Sequence, residues 1–379
     1  MITIAIVGGG ILAKSIAQRA KELNIRTICF SLANGAVAKD FVDLFCDINI
    51  FETNTLIDIC KKENVKGILA TTELTVKIAS IVAKALDLPC NPPEVATNIT
   101  NKGWVREKGK NFKYIKQPLF KHIIDIDEKF FPDSYPVIVK PVSFGGKRGI
   151  TVAYSENEYR TAIEYAQKVI GSRNNDGIII EQFLSSGQEY SVETLSFHGT
   201  HYVIQITQKD SSGAPHCVEL GHHQPADLNT KMRSFVEQAI EDMLTCVGVE
   251  NGPCHTEIKI INGEVFLIEI NARPGGDCIT YPLTELSSGY KFLTGIILGA
   301  CDIFFDPRAN TVNPKHAGIY FISKQTAHLK PLFDNCEGKE WLFFKNNVSD
   351  ELQEITHNDA THLNYLIYCS SKKIGLEDI

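Results

Sequence analysis

Residues His255–Asp277 read HTEIKIINGEVFLIEINARPGGD, and the reading of this stretch decides the fold. Two apolar-rich runs flank Asn262-Gly263, a dipeptide suited to tight turns, so a β-hairpin is predicted here. The first strand carries Glu257; the returning strand carries Glu269 and, two residues on, Asn271. Side chains alternate along a strand, so Glu269 and Asn271 share a face. The position of Glu257 depends on the turn. A three-residue loop, 262–264, sets Ile261 against Val265 and Glu257 directly opposite Glu269, whereas a two-residue loop sends the two acids to opposite faces. Two bare carboxylates about 4 Å apart repel by roughly 4 kcal/mol at a surface-like dielectric, so a facing pair needs a shared proton or a cation. Two carboxylates and one amide oxygen make a hard, oxygen-only ligand set, suited to Mg²⁺ carrying substrate phosphates. That shared-face requirement predicts the three-residue loop. Arg273 follows, then Pro274 and Gly275-Gly276, a turn at which backbone amides can approach a ligand closely.

The rest of the chain bounds this reading. Its 379 residues suffice for two or three structural units with substantial cores. Lys and Arg number 38 against 45 Asp and Glu, a net charge of −7, which speaks against a nucleic-acid partner. No apolar run approaches the ~20 residues that span a bilayer, so no membrane partner is expected. The N-terminus runs from MITIAIV straight into a glycine turn, without the basic leader or cleavage site of a signal peptide. None of the 11 cysteines forms a Cys-x-x-Cys pair. Reduced, mostly buried thiols in a cytoplasmic protein are expected.

Residues 2–7 (ITIAIV) form the unbroken apolar run of a central parallel strand. Gly8-Gly9-Gly10 leads into a helix over roughly 11–24, and a strand follows at 26–30. Gly8-x-Gly10-x-x-Ala13 invites a dinucleotide reading, but the second strand ends in Ser31-Leu32 and offers no acid to a ribose. Packing of helix on sheet is the preferred role for these glycines. Helices at 54–63 and 73–86 surround a strand at 65–70, and Pro89 and Pro92-Pro93 then close a doubly wound unit at about residue 92.

A helix is predicted at 102–109, starting at Lys102. The segment PVIVKPVSFGGKRGITVAYS (136–155) reads as strand, glycine-rich loop (143–149) and strand. A Walker loop runs from strand to helix; this one joins two strands. Ser143, Gly145, Gly146 and Gly149 can lay backbone N–H groups over phosphates, with Lys147 and Arg148 adding charge. Lys140 lies inside an apolar strand, where it needs an anion. IIIEQFL (178–184) is a further strand, and Glu189 sits in the next one. The segment 209–226 reads as a long polar loop of the kind that serves function. Its His216, Cys217, His222 and His223 match no structural zinc spacing, so a substrate-facing role is preferred. Helices near 227–247 and 281–298 follow, then strands at 316–323 and 363–369.

Together these stretches resemble the ATP-grasp superfamily of carboxylate–amine ligases over about residues 1–300, five separated motifs standing in that family's order. The resemblance implies an α/β fold with three parts. These are a Rossmann-like pre-ATP-grasp domain (1–92), an ATP-grasp domain (93–305) with a mobile lid (about 112–185), and a small C-terminal lobe (306–379). It also implies roles. Lys102 in TNKGWVRE and Lys140 in PVIVKP look like phosphate lysines, with Ser143, Gly145 and Gly146 over the triphosphate of ATP. Glu181 would accept from the adenine amino group, the backbone at Phe183 and Leu184 would read the ring, and Glu189 would hold the ribose. Glu257, Glu269 and Asn271 look like the ligands of Mg²⁺, or of Mn²⁺ in its place. Arg273 and Lys140 would serve the reacting centre.

Within the superfamily, CVELGHHQPADL (217–228) and NARPGGD look most like the L-amino-acid ligase branch. Glu219, His222, Arg273, Gly275 and Gly276 would then face the substrates. The implied reaction joins a small carboxylate to an amine, both amino acids, through an acyl phosphate, releasing ADP and phosphate; a homodimer is one candidate assembly. The C-terminal lobe departs from the branch, because AGIYFI places Tyr320 where relatives tend to have arginine. The identities of the acid and the amine therefore stay open. Two alternatives are a carboxylase that activates bicarbonate and a regulatory module that binds nucleotide without turnover; the complete set of metal ligands speaks against the second.

Overall fold

The computed structural model describes residues 1–124, 130–143, 148–171, 176–215, 217–309, 315–355 and 363–379. The N-terminal apolar run becomes β1 (Thr3–Val7), buried along its whole length. With β2 (Arg26–Ser31), β3 (Leu44–Asp47) and β4 (Gly67–Ala70) it forms a parallel sheet in the order β3-β2-β1-β4. Helices α1 (Ile11–Glu22), α2 (Thr53–Lys62) and α3 (Glu73–Ala85) alternate with these strands. Gly8 has φ +99°, and a Cβ there would run into Thr71, so its freedom serves close packing at the strand ends.

Helices α4 (Pro93–Asn98) and α5 (Lys102–Gly109) lead away from this unit. Asn101 caps α5, its side chain accepting from the Trp104 N–H at 2.9 Å. A second, antiparallel sheet contains β5 (Phe120–Ile123), β6 (Val137–Pro141), β7 (Thr151–Ala153) and β8 (Ile178–Gln182) in the order β5-β8-β6-β7. It has its own core, in which Val137, Val139 and Ile180 pack on Tyr159, Ala162 and Ala166 of α6 (Glu156–Ile170).

The third sheet is the floor of the molecule. It contains β9 (Gln188–Phe197), β10 (Thr200–Ser211), β11 (Glu219–Gln224), β12 (Gly252–Ile261) and β13 (Glu264–Asn271). It continues through β14 (His316–Ile322), β15 (Leu342–Asn346) and β16 (Asn364–Ser370). The strand order is β13-β12-β9-β10-β11-β14-β16-β15, so the C-terminal strands extend the same sheet. One face packs Val192, Ile206, Ile258 and Leu267 against Val236, Ile240 and Leu244 of α7 (Thr230–Val247). The opposite face of β10–β13 carries the polar residues Lys209, His222, His255, Glu257 and Glu269.

Two expectations change here. Residues 209–226 are not one long loop: β10 runs to Ser211 and β11 starts at Glu219. The predicted helix at 281–298 is broken into an irregular helical run at Ile279–Thr284 containing Pro282, then α8 (Glu285–Ser288) and α9 (Phe292–Ala300). Proline lacks the N–H that a regular helix needs. The apolar α9 packs Leu293, Ile296 and Ile297 against Ile4, Ile6 and Ile16, and Arg19 of α1 reaches Glu285 at 2.8 Å, so the N-terminal unit is fastened to the floor. The small α10 (Lys330–Asp334) is the last α-helix among the described residues. No described helix is long and apolar enough to cross a membrane.

The 255–277 hairpin forms, with a different turn. Asn262 (φ 51°) and Gly263 (φ 81°) are both left-handed, and Ile261 pairs with Glu264, so the loop has two residues rather than three. The ladder then shifts: Ile258 pairs with Leu267 but Glu257 pairs with Glu269. Ile268 is the extra residue of a β-bulge, and that bulge, not the loop, places Glu257 opposite Glu269.

Candidate active site

A cleft of about 720 Å³ lies between the second sheet, the polar face of the floor and the β4–α3 turn. Strand register builds its base. Glu257 of β12 pairs with Glu269 on one side and Ser191 on the other; His255 pairs with Asn271 and Glu193; Lys259 pairs with Glu189. Across β10 and β11, Lys209 pairs with His222. These residues alternate with the apolar ones that meet α7, and all of them but the fully buried Ser191 and Glu193 line the cleft.

At the end nearest the second sheet, Glu181 joins two cations. Its Oε1 lies 2.6 Å from Arg106 Nε and its Oε2 lies 2.6 Å from Lys140 Nζ. Burial pushes the Glu181 pKa up, but Arg106 and Lys140 outweigh it and hold the carboxyl at about 2. An adenine amino group would therefore have to share a carboxylate already engaged twice. Arg106 lies one turn beyond Lys102 on α5, on the same side, and its Nη2 donates to Ile268 O at 2.7 Å, bracing the bulge. Lys102 Nζ lies 2.9 Å from Glu269 Oε1. Lys259 Nζ donates to Leu184 O at 2.6 Å and sits 5.9 Å from the Phe183 ring, which fixes the strand exit at the cleft edge. Ser143 Oγ donates to Asp176 at 2.5 Å. Gly145 and Gly146 lie outside the described residues.

In the middle of the cleft, Lys209 is 2% exposed and meets three acids, with Nζ 2.8 Å from Glu257, 2.9 Å from Glu219 and 3.2 Å from Glu189. Burial opposes its charge, but Glu219, Glu257 and Glu189 outweigh that and raise its pKa well above the ordinary lysine value. His222 is fully buried, and neither ring nitrogen has a hydrogen-bond partner among the described residues. Burial first, then Lys209, keeps this imidazole neutral.

At the far end, Arg273 Nη1 donates to Pro274 O at 2.7 Å and Nη2 pairs with Glu73, in the first turn of α3. The fully buried Glu193 organises the turn that follows, accepting from Gly275 N at 3.2 Å, from Thr280 Oγ1 at 2.9 Å and from the His255 ring. A Cβ on Gly275 would sit 2.7 Å from His255 Nδ1 and 2.9 Å from Glu193, so only glycine fits. Gly276 faces open space.

The donor set suits a hard cation. The Asn271 Oδ1 is buried without a hydrogen-bond partner among the described residues, beside two carboxylates facing each other across the ladder. Glu257 is otherwise neutralised by Lys209 and His255, and Glu269 by Lys102. Among the described residues no group of three or more His, Cys, Asp or Glu is placed to hold a metal; this candidate set is two carboxylates and one amide.

Sequence patterns did not single out Lys209, Arg106, Glu73, Glu193 or His255. For Arg106 the four-residue spacing from Lys102 was a usable signal. For Glu73 the signal was its place just beyond the carboxyl end of a parallel strand, where ligands of such sheets bind. Lys209 follows the buried run of a strand, as Lys140 does, and the same burial argument applied to it.

Comparison with known proteins gives concordant findings. Residues 133–281 match the ATP-grasp domain family. The chain is 24% identical over 307 residues to a formate-dependent phosphoribosylglycinamide formyltransferase from Wolinella succinogenes, covering 79% of this chain and 77% of that protein. It is 25% identical over 260 residues to dapdiamide A synthase from Enterobacter agglomerans, covering 66% of this chain and 59% of that protein. Among solved structures, an L-amino acid ligase from Bacillus licheniformis superposes with a TM-score of 0.77 at 21% identity, over 98% of this chain and 94% of that one.

Proposed function

We propose that this chain, whose residues 133–281 match the ATP-grasp domain family, is a carboxylate–amine ligase that forms an amide or peptide bond between two amino acids, with ATP cleaved to ADP and phosphate. One observation carries this reading. The cleft sets three cations (Lys102, Arg106, Lys140) at one end and Arg273 with Gly276 at the other, with Glu257, Glu269 and Asn271 between them.

Glu257, Glu269 and Asn271 would hold Mg²⁺, or Mn²⁺, which when bound neutralises phosphate charge. Lys102 and Lys140 draw charge from the γ-phosphoryl group as it passes to the substrate carboxylate. Ser143 meets the triphosphate, Phe183 and Leu184 read the adenine beside Glu181, and Glu189 takes the ribose. Arg273 binds the carboxylate before reaction and the tetrahedral oxyanion during it, sharing its guanidinium with Glu73. Gly276 leaves room for main-chain atoms of a substrate. Glu219 is an acid suited to an ammonium group, and His222, whose ring nitrogens have no hydrogen-bond partner among the described residues, can donate or accept at its side. Closure of the second sheet over the cleft keeps water from the acyl phosphate.

The test is phosphate release from ATP and Mg²⁺ with every pair of common amino acids, the products read by mass spectrometry. Release that requires two amino acids and yields their condensation mass supports the proposal. ADP release that needs bicarbonate and no amine would instead mark a carboxylase. Absence of turnover with every pair and with bicarbonate would mark a regulatory module.

A further inference from the structure

The turn that follows Arg273 ends in two consecutive non-glycine residues with left-handed backbones, Asp277 (φ 48°) and Cys278 (φ 66°). Each such residue is held against a cost of roughly 1–2 kcal/mol, and persists where its surroundings fix it. The fixing groups are visible. Glu193 holds Gly275 N and Thr280, Ile279 N donates to Gly276 O at 2.8 Å, and Leu283 N donates to Cys278 O at 3.1 Å. The effect is to hold Asp277, half-buried, on the cleft wall at the Arg273 end. Glu73, Glu181, Glu189, Glu193, Glu219, Glu257 and Glu269 are each paired with a cation or a donor. The Asp277 carboxylate accepts no hydrogen bond and joins no close ion pair among the described residues.

An amine substrate reaches the cleft as an ammonium at neutral pH and has no lone pair with which to attack. Resting on the ligase reading above, we infer that Asp277 is the general base of amide formation, taking one N–H proton from the substrate ammonium beside Arg273. The freed lone pair forms the C–N bond to the carbonyl carbon of the acyl phosphate. The C–O bond to phosphate then breaks, phosphate leaves with that electron pair, and the second N–H proton passes to a phosphate oxygen. Asp277 returns its own proton to water.

The surroundings support the role. Burial first, then Glu219 of β11, raises the Asp277 pKa to about 6, against Lys209 of β10, Arg273 and His255 of β12, which lower it. A base poised near the working pH is the effective one. The other candidates are less suited: His222 is held far below that range, and Glu181 is committed to two cations.

Hydroxylamine, neutral at pH 7, intercepts an acyl phosphate without help from a base and so separates the two halves of the reaction. The wild-type chain with ATP, Mg²⁺ and hydroxylamine is first screened against the twenty common amino acids for hydroxamate. The accepted acid is then offered hydroxylamine or each amino acid in turn, with wild type, Asp277→Asn and Asp277→Glu. The expected result is that the amide-to-hydroxamate ratio falls roughly 100-fold or more in Asp277→Asn, the range of a lost general base, and recovers in part in Asp277→Glu. A ratio within about threefold of wild type in Asp277→Asn, including the case where both products fall together, overturns the assignment. If wild type forms no hydroxamate with any amino acid, the amino-acid ligase reading fails first, and Asp277 loses its role with it.

Discussion

Arg273 meets Glu73 across the cleft, so its charge is partly engaged before any substrate arrives. A lysine could keep that ion pair but could not hold a carboxylate with two parallel N–H groups. Arg273→Lys is therefore expected to leave nucleotide affinity nearly unchanged by calorimetry while lowering amide formation by roughly 100-fold, the loss typical of one oxyanion donor. Glu269→Gln should abolish phosphoryl transfer itself. Unimpaired amide formation by the lysine variant would remove Arg273 from the catalytic groups. Glu181 makes a separate prediction about stability. Arg106 and Lys140 depress its pKa from the usual 4.5 to about 2. A depressed carboxyl stabilises the fold at pH values above its unfolded pKa, and that contribution is lost as pH falls from about 4.5 through 2. The contribution is worth on the order of 3 kcal/mol. Urea unfolding should thus show wild type losing stability steeply in this window. Glu181→Gln should be less stable at pH 7, by roughly 3–5 kcal/mol, because two buried cations lose their partner, and should lose less on acidification. Equal acid sensitivity of the two proteins would contradict the assigned pairing.

At the scale of elements, the sequence was most legible where local chemistry is strong. Helix α5 was predicted at 102–109, its observed bounds, because Asn101 marks its start. The hairpin was announced by Asn262-Gly263. Its register was not legible. Glu257 does oppose Glu269, but through a two-residue loop and a bulge at Ile268, and a single unpaired residue leaves no mark in a run such as FLIEIN. Strand β11 reads as loop in the sequence because its inner face serves a polar cleft, so the stretch lacks the apolar alternation by which half-buried strands are recognised. The second sheet carries its own core, separate from that of the floor. Elements that close on phosphates are drawn from the less stable part of a fold. Backbone amides of β6 and β7 should exchange more slowly with deuterium when ATP and Mg²⁺ are added. Exchange that nucleotide leaves unchanged would contradict closure.

Across the whole molecule, the candidate site belongs to no single part. Helix α3 of the N-terminal unit supplies Glu73, α5 supplies Lys102 and Arg106, the second sheet supplies Lys140 and Glu181, and the floor supplies the other acids, Lys209 and Arg273. The Arg19–Glu285 bridge and the α1–α9 contacts hold the first sheet against the floor, which keeps Glu73 within reach of Arg273. Such a layout has one chemical consequence that binding alone does not. A carboxylate activated by the γ-phosphoryl group gives up one of its oxygens to the phosphate released. The most direct measurement supplies ATP, Mg²⁺, an amine substrate and an acid substrate whose carboxylate carries ¹⁸O, and reads both products by mass spectrometry. The account predicts an amide, with one carboxylate oxygen transferred to each phosphate released. An amide formed with unlabelled phosphate, or phosphate released without either label or amide, would contradict it.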